Sequence, residues 1–323
     1  MIRRRALAGA ALLALPVPAR AQRPPGGTIT FVVAYGPGSA NDIIVRLIQP
    51  ALAASLGQPV VVENRPGGGG TIGTGVVARA AADGQTLGLA STATSAINPA
   101  LFRELPYDTR RDFALAGLLA ETPNLLIVPP GSPATTARSL AGGIAAGALP
   151  PRFSSPGNGT TQHLNGVGFA LLAGGAAEHV PYRGPAEGVQ GVAAGEVEFG
   201  FASLPSAIAQ LRAGRVRALG ITGAERFPET PDVPTLDSLG FPTLRDGGVW
   251  FGVVAPRATP APRLAQLRGA VAAVRADPGL RERLLAAGYA PLPSRTAAEE
   301  EAFVAAQISD WGTLVARSGA RID

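Results

Sequence analysis

The 323-residue chain has no cysteine, no lysine, two histidines, one methionine and only 5% aromatic residues. Without cysteine there are no disulfides, no thiolate metal ligands and no cysteine nucleophiles, so stability must rest on the core. Two histidines without a neighbouring carboxylate cluster make a poor zinc set, which takes three or four N, S or O ligands, and no metal is expected. For hydrolysis only His163 and His179 could serve as the base of a triad, and no Gly-x-Ser-x-Gly elbow accompanies them. No uninterrupted apolar stretch reaches 18 residues, which excludes a spanning helix. The missing lysine also colours the charge. All 28 basic residues are arginine, and Arg3, Arg4, Arg5 and Arg20 lie in the first 21 positions; the rest of the chain has 24 basic against 23 acidic side chains. No basic excess is left to bind nucleic acid.

Those first residues have the order of an export leader: Arg3 to Arg5, an apolar run over 6–17, then Ala19-Arg20-Ala21 as a small-x-small cleavage site. A signal peptide over 1–21 and a periplasmic mature protein are expected. The run suits Sec export, and Arg4-Arg5 leaves twin-arginine export open.

Glycine and proline are abundant, 42 and 30 residues, but 46% of the chain is apolar, which points to a folded, loop-rich protein. Its length suggests two domains. Short β-branched runs at 28–34, 60–63, 86–90, 125–128, 197–201, 217–222 and 249–255 read as strands, with Ala/Leu-rich helical stretches between them. This is an α/β pattern, and it implies parallel sheets with ligand loops at the carboxyl ends of strands. The clearest helix carries Ile43, Ile44, Leu47, Ile48, Ala51 and Leu52 on one face, with Asn41 or Asp42 as its cap and Gly57 as its end. A second long helix is expected over 297–317, with acidic residues in its first turn.

Two loops share a design. Tyr35-Gly36-Pro37-Gly38-Ser39-Ala40-Asn41-Asp42 and Ser154-Ser155-Pro156-Gly157-Asn158-Gly159-Thr160-Thr161 each place small hydroxyl residues and free backbone amides where a helix should start. Such a start holds a carboxylate or phosphate without a cationic side chain. A third loop, over 64–73, contains Gly68-x-Gly70-x-x-Gly73, the spacing of a dinucleotide fingerprint. Here Asn64 to Gly67 separate it from the strand, and it opens the second βα unit rather than the first.

Eight segments in order resemble one known family. They include Glu63-Asn64-Arg65-Pro66-Gly67, Ala80-Ala81-Ala82-Asp83-Gly84, Asn98-Pro99-Ala100-Leu101-Phe102, Leu105-Pro106-Tyr107-Asp108, Pro156-Gly157-Asn158-Gly159-Thr160-Thr161-Gln162-His163, Val180-Pro181-Tyr182-Arg183-Gly184, Leu204-Pro205-Ser206-Ala207 and Pro231-Asp232-Val233-Pro234-Thr235. Together they are similar to the tripartite tricarboxylate transporter receptors, the Bug-type extracytoplasmic solute receptors. The resemblance implies a type II periplasmic binding protein: two α/β domains, here 22–123 with 223–323 and then 124–222, closing by a hinge over a small organic carboxylate. It implies no enzyme activity and no cofactor, a monomer, and as partner either the membrane component of a tripartite tricarboxylate transporter or a sensor kinase. The alternative is an exported oxidoreductase with a nicotinamide cofactor at Gly68, Gly70 and Gly73.

The resemblance carries the family's binding loops onto Gly38, Ser39, Asn41 and Asp42 and onto Ser155, Gly157, Asn158, Gly159, Thr160 and Thr161, of which Gly38, Ser39, Asn41, Ser155, Gly157, Asn158, Thr160 and Thr161 are expected to meet ligand. Tyr35, Thr94 and Ser203 complete the expected site. Two positions depart from the family. Ser39 stands where a second glycine is usual, restricting φ at the point of carboxylate approach. Ala202 stands where many members carry Asp or Asn, so an amino-acid ligand is not expected. Arg183 is either a bidentate partner for a distal carboxylate or a solvated loop residue. His163 reads as a local structural residue, His179 as a strand residue, and Trp250 and Phe251 as packing at the domain junction.

Overall fold

The computed structural model describes residues 27–147, 151–244 and 247–318; the expected leader over 1–21 lies outside them. In chain order the strands are β1 (Ile29–Val33), β2 (Val60–Asn64), β3 (Thr86–Ser91), β4 (Phe113–Thr122), β5 (Asn124–Val128), β6 (Arg152–Ser155), β7 (Glu178–Pro181), β8 (Phe199–Ser203), β9 (Arg217–Ile221), β10 (Val249–Pro256) and β11 (Ala290–Pro291). The helices are α1 (Ala40–Leu56), α2 (Thr71–Ala78), α3 (Asn98–Leu101), α4 (Thr109–Asp112), α5 (Ala137–Ala146), α6 (Thr161–Leu172), α7 (Pro185–Ala194), α8 (Leu204–Arg212), α9 (Ala261–Ala276), α10 (Pro278–Ala286) and α11 (Ala297–Ser318). None is long and apolar enough to cross a membrane.

Two sheets form two lobes. The first runs β11-β4-β10-β3-β1-β2 and the second β7-β6-β8-β5-β9. Both are mixed, which corrects the parallel expectation. β10 pairs antiparallel with β3 and β4, and β5 antiparallel with β8 and β9. The reversals follow from the connections between lobes. β4 passes into β5 through Pro123 alone, and the chain returns to the first sheet as β10, beside β4. Part of 223–244, a stretch expected with the first domain, packs on the second sheet. Leu236, Phe241 and Leu244 enter that sheet's core, and Ile221 bridges Thr235.

Seven expected strands are present within two residues at each end. β4 was not anticipated, because Phe-Ala-Leu-Ala-Gly-Leu-Leu-Ala-Glu-Thr has helical composition and eight of its ten residues are buried, which erases the period-2 signal. Both faces of the first sheet are covered. Phe31 and Phe251 face α1, α9 and α10, whereas Val32 and Trp250 face the side of α2 and α11.

Helix α1 ends as expected at Gly57, whose φ of 62° is left-handed. Its cap is Ser39, not Asn41 or Asp42. The Ser39 hydroxyl accepts from the Asp42 amide at 3.1 Å, while the Asp42 carboxylate accepts from the Gly38 amide, Arg46 and Asn64 at 3.0, 2.9 and 2.9 Å. Burial alone would raise the Asp42 pKa, but the hydrogen bonds from Arg46, Asn64 and the Gly38 amide, with the Arg46 charge, hold it below its ordinary value. One buried carboxylate thus ties the first loop to the end of β2.

Candidate ligand-binding cleft

Helix starts converge between the lobes. A narrow cavity of about 40 Å³ is lined there by Ala40 and Asn41, the first two residues of α1, and by Thr161 and Gln162, the first two of α6. Ala93 from the π-helical turn Thr92–Ile97, Pro185 at the start of α7 and the α8 cap Ser203 add three further helix starts. Tyr35, Ser39, Ser91, Pro156, Thr160 and Val249 complete the lining. The hydroxyls of Ser39 and Thr160 are each used to cap their helix. The amides of Ala40, Asn41, Thr161 and Gln162 then have no protein acceptor among the described residues. With no Arg, His, Asp or Glu in the lining, the field there is that of helix N-termini, which favours negative charge.

Behind the lining, Asn124 at the lobe crossing organises the second wall. Its Nδ2 donates to Thr161 Oγ1 at 3.0 Å and to the Gly247 carbonyl at 2.6 Å, and its Oδ1 accepts from Gln162 Nε2 at 2.8 Å. Its own amide donates to Thr222 Oγ1 at 2.8 Å. Asn124 is fully buried, so this satisfied network fixes the side-chain positions of Thr161 and Gln162.

Of the residues expected to meet ligand, the fold brings Tyr35, Ser39, Asn41, Thr160, Thr161 and Ser203 together at the cavity. The others stand beside or behind it. Gly38 has φ 77°, and Ser39, at φ −70°, is unstrained because the left-handed residue is its neighbour. Thr94 is buried, its Oγ1 accepting from the Ser91 amide at 3.1 Å. Ser155 Oγ accepts from the Gly157 amide at 3.1 Å and meets His179 Nε2 at 2.6 Å, which shapes the loop. Gly157 has φ 124°, and Asn158 is exposed. Across the cleft the Ser206 hydroxyl donates to the Gly38 carbonyl at 3.4 Å.

Sequence reasoning did not single out Ser91, Gln162, Pro185 or Val249. Gln162 carried a signal, since it is polar, adjacent to Thr161, and sits at the second position of the helix. Ala202 packs into the core with Leu125 and Ile127 rather than lining the cleft, so its missing polar group lies away from the cavity. Arg183 is exposed and outside the lining. Trp250 and Phe251 are buried in the first lobe, edge-on to Phe303 and Tyr289.

His163 and His179 form a stack beneath the second loop, with ring centroids 4.2 Å apart and His179 5.0 Å from Phe153. Burial pushes His163 down to about 4. Burial, with the His163 charge, takes His179 to about 3. Both rings are therefore neutral near pH 7, and the loop carries no imidazolium.

The glycine run is occupied by packing. Gly70 has φ 91°, and a Cβ there would lie 2.8 Å from Thr94 Cγ2 and 3.1 Å from the Tyr35 ring. A Cβ on Gly73 would lie 2.7 Å from Ala34 Cα. The Gly69 carbonyl accepts from the Tyr35 hydroxyl at 2.9 Å and Asn98 Nδ2 at 3.1 Å. Close approach of protein to protein explains these glycines. Among the described residues no three His, Asp or Glu side chains are grouped to hold a metal.

Comparison with known proteins agrees with this architecture. A curated protein of Pseudomonas sp. (strain P51), "UPF0065 protein in tcbD-tcbE intergenic region", is 37% identical over 286 residues, 87% of this chain and 84% of that one. Rpa4515 of R. palustris, solved with adipate, superposes with a TM-score of 0.87 at 30% identity, covering 93% of this chain and 100% of the other. MatC (Rpa3494) from Rhodopseudomonas palustris, solved with bound malate, gives 0.84 at 33% identity, with coverages of 90% and 99%. The fold is the two-lobed α/β fold of periplasmic binding proteins. The family model described as "Tripartite tricarboxylate transporter family receptor" matches residues 44–320, and the chain belongs to that family.

Proposed function

We propose that the protein is a periplasmic solute receptor that captures a small organic dicarboxylate in the cleft, without covalent chemistry. The observation that carries this is the pair of facing helix starts, α1 and α6, with four unpaired amides and no cationic side chain. One carboxylate would take the amides of Ala40 and Asn41 with Ser39, the other those of Thr161 and Gln162 with Thr160. The adipate and malate complexes of Rpa4515 and MatC support the ligand class. The cavity has room for only a few waters, so a bound dicarboxylate requires the lobes to stand further apart than here. The two crossings, at Thr122 to Asn124 and Gly247 to Val249, are where such a hinge would turn. The leader at 1–21 supports export, and the family supports delivery to the membrane component of a tripartite tricarboxylate transporter.

The test is thermal unfolding against mono-, di- and tricarboxylates, amino acids and nicotinamide nucleotides. A ligand at about 100 times its Kd adds about 2.7 kcal/mol to the native state, a rise of several degrees in Tm. Stabilisation by dicarboxylates is expected; stabilisation by a nucleotide alone would overturn the reading.

A further inference from the structure

The first lobe holds a cavity of about 320 Å³ that shares no lining residue with the cleft. Strand alternation places it on the opposite side of the sheet. In β3 and β10, Ser91 and Val249 look to the cleft, whereas their neighbours Ala90 and Trp250 line this second space. Val32 and Val254 lie on its sheet side, with Val77 of α2 and Val304 of α11 as its walls. The two helices leave a gap over the sheet that their own side chains do not fill.

At one end the lining becomes cationic, with Arg110 and Arg257. The Arg110 guanidinium has no partner among the described residues, and that of Arg257 reaches the Phe113 carbonyl at 3.4 Å. Of the acids there, Asp112 pairs with Arg111 at 2.8 Å, while Glu301, which also lines the cavity, lies 4.0 Å from Arg268 with its carboxylate more than half exposed. Two buried polar atoms of lining residues, Thr109 Oγ1 and Trp250 Nε1, also lack partners, and Trp250 is only 3% exposed. An apolar chamber with one unpaired guanidinium, that of Arg110, and a second that meets only a carbonyl at one end has the chemistry of an amphipathic anion site. The cleft has the opposite make-up, hydroxyls and amides without arginine.

We propose that this cavity is a second small-molecule site, taking a monocarboxylate with an apolar tail. The tail would lie against Val77, Trp250 and Val304, and the carboxylate would meet Arg110 and Arg257.

The test uses octanoate, titrated calorimetrically into the unmodified protein and followed by indole fluorescence in the Trp311→Phe variant, which leaves Trp250 as the reporter. Saturable binding is expected, weakened at least tenfold by Arg110→Ala with Arg257→Ala and abolished by Ala305→Trp, which fills the chamber. Neither malate nor adipate should displace it. The proposal is overturned if octanoate gives no saturable signal, if binding survives Ala305→Trp or is indifferent to both arginines, or if malate or adipate competes, which would place octanoate in the cleft. Because the two sites share no residue, failure of dicarboxylates to stabilise the protein would leave this result standing.

Discussion

Ser39 and Thr160 hold equivalent posts in opposite lobes: each hydroxyl accepts from the amide three residues on, at 3.1 and 3.2 Å, and each caps a helix that starts at the cleft. The cap satisfies the third amide of its helix and leaves the first two for a ligand. Two chemically matched helix starts thus face each other, and the dicarboxylate binding proposed above rests on that duplication.

Thr160→Ala should remove the α6 cap and one cleft hydroxyl together. Stability is expected to fall by about 1 kcal/mol, read from the urea midpoint, and affinity for the stabilising carboxylate by about tenfold. Thr160→Ser should restore both. An unchanged affinity in the alanine variant would remove Thr160 from the site.

Asn124→Leu leaves Gln162 Nε2 without its acceptor and exposes the Gly247 carbonyl to loss of one of its donors. A buried polar group left unsatisfied costs about 1–3 kcal/mol. Denaturant titration should show a loss of that size, with weaker ligand binding because Thr161 and Gln162 lose their anchor. If Asn124 only stabilises the crossing, the midpoint will move and the affinity will not.

Gly70→Ala should be costly, since its φ of 91° and the 2.8 Å approach of Thr94 Cγ2 leave no place for a methyl group. About 1–3 kcal/mol is expected. Gly36→Ala, with nothing within 4 Å and no positive φ, is the matched control and should move stability by no more than about 0.5 kcal/mol.

Acid should destabilise the fold through the histidine stack. The unfolded chain takes up protons near the ordinary value of 6.5, whereas the folded protein resists them until about 4 at His163 and about 3 at His179. The unfolded state binds more protons across that window, so stability is fully present above about pH 6.5, falls as the pH drops, and levels off below about pH 3. His179→Phe keeps a ring beside Phe153 and should flatten part of this slope in Tm measured from pH 7 to 4.

Local signals in the sequence carried much of this protein. The β-branched runs, the amphipathic face of α1, the left-handed stop at Gly57 and the small-residue loops that begin α1 and α6 depend on neighbours a few positions away, and these are present as read. The same locality explains the misses. β4 is buried on both faces and so loses its alternation. The α1 cap went to Ser39 because Asp42 was claimed by Arg46 and by Asn64, 22 residues further on. Tertiary structure alone decided the mixed sheets, the packing of Leu236, Phe241 and Leu244 on the second lobe, the service of Asn124 to Thr161 across 37 positions, and which side of β3 and β10 looks into which cavity. The reason is physical. Helix and turn preferences are settled by short-range sterics and hydrogen bonds, whereas a cleft exists only where chain segments distant in sequence have been brought together by burial of their cores.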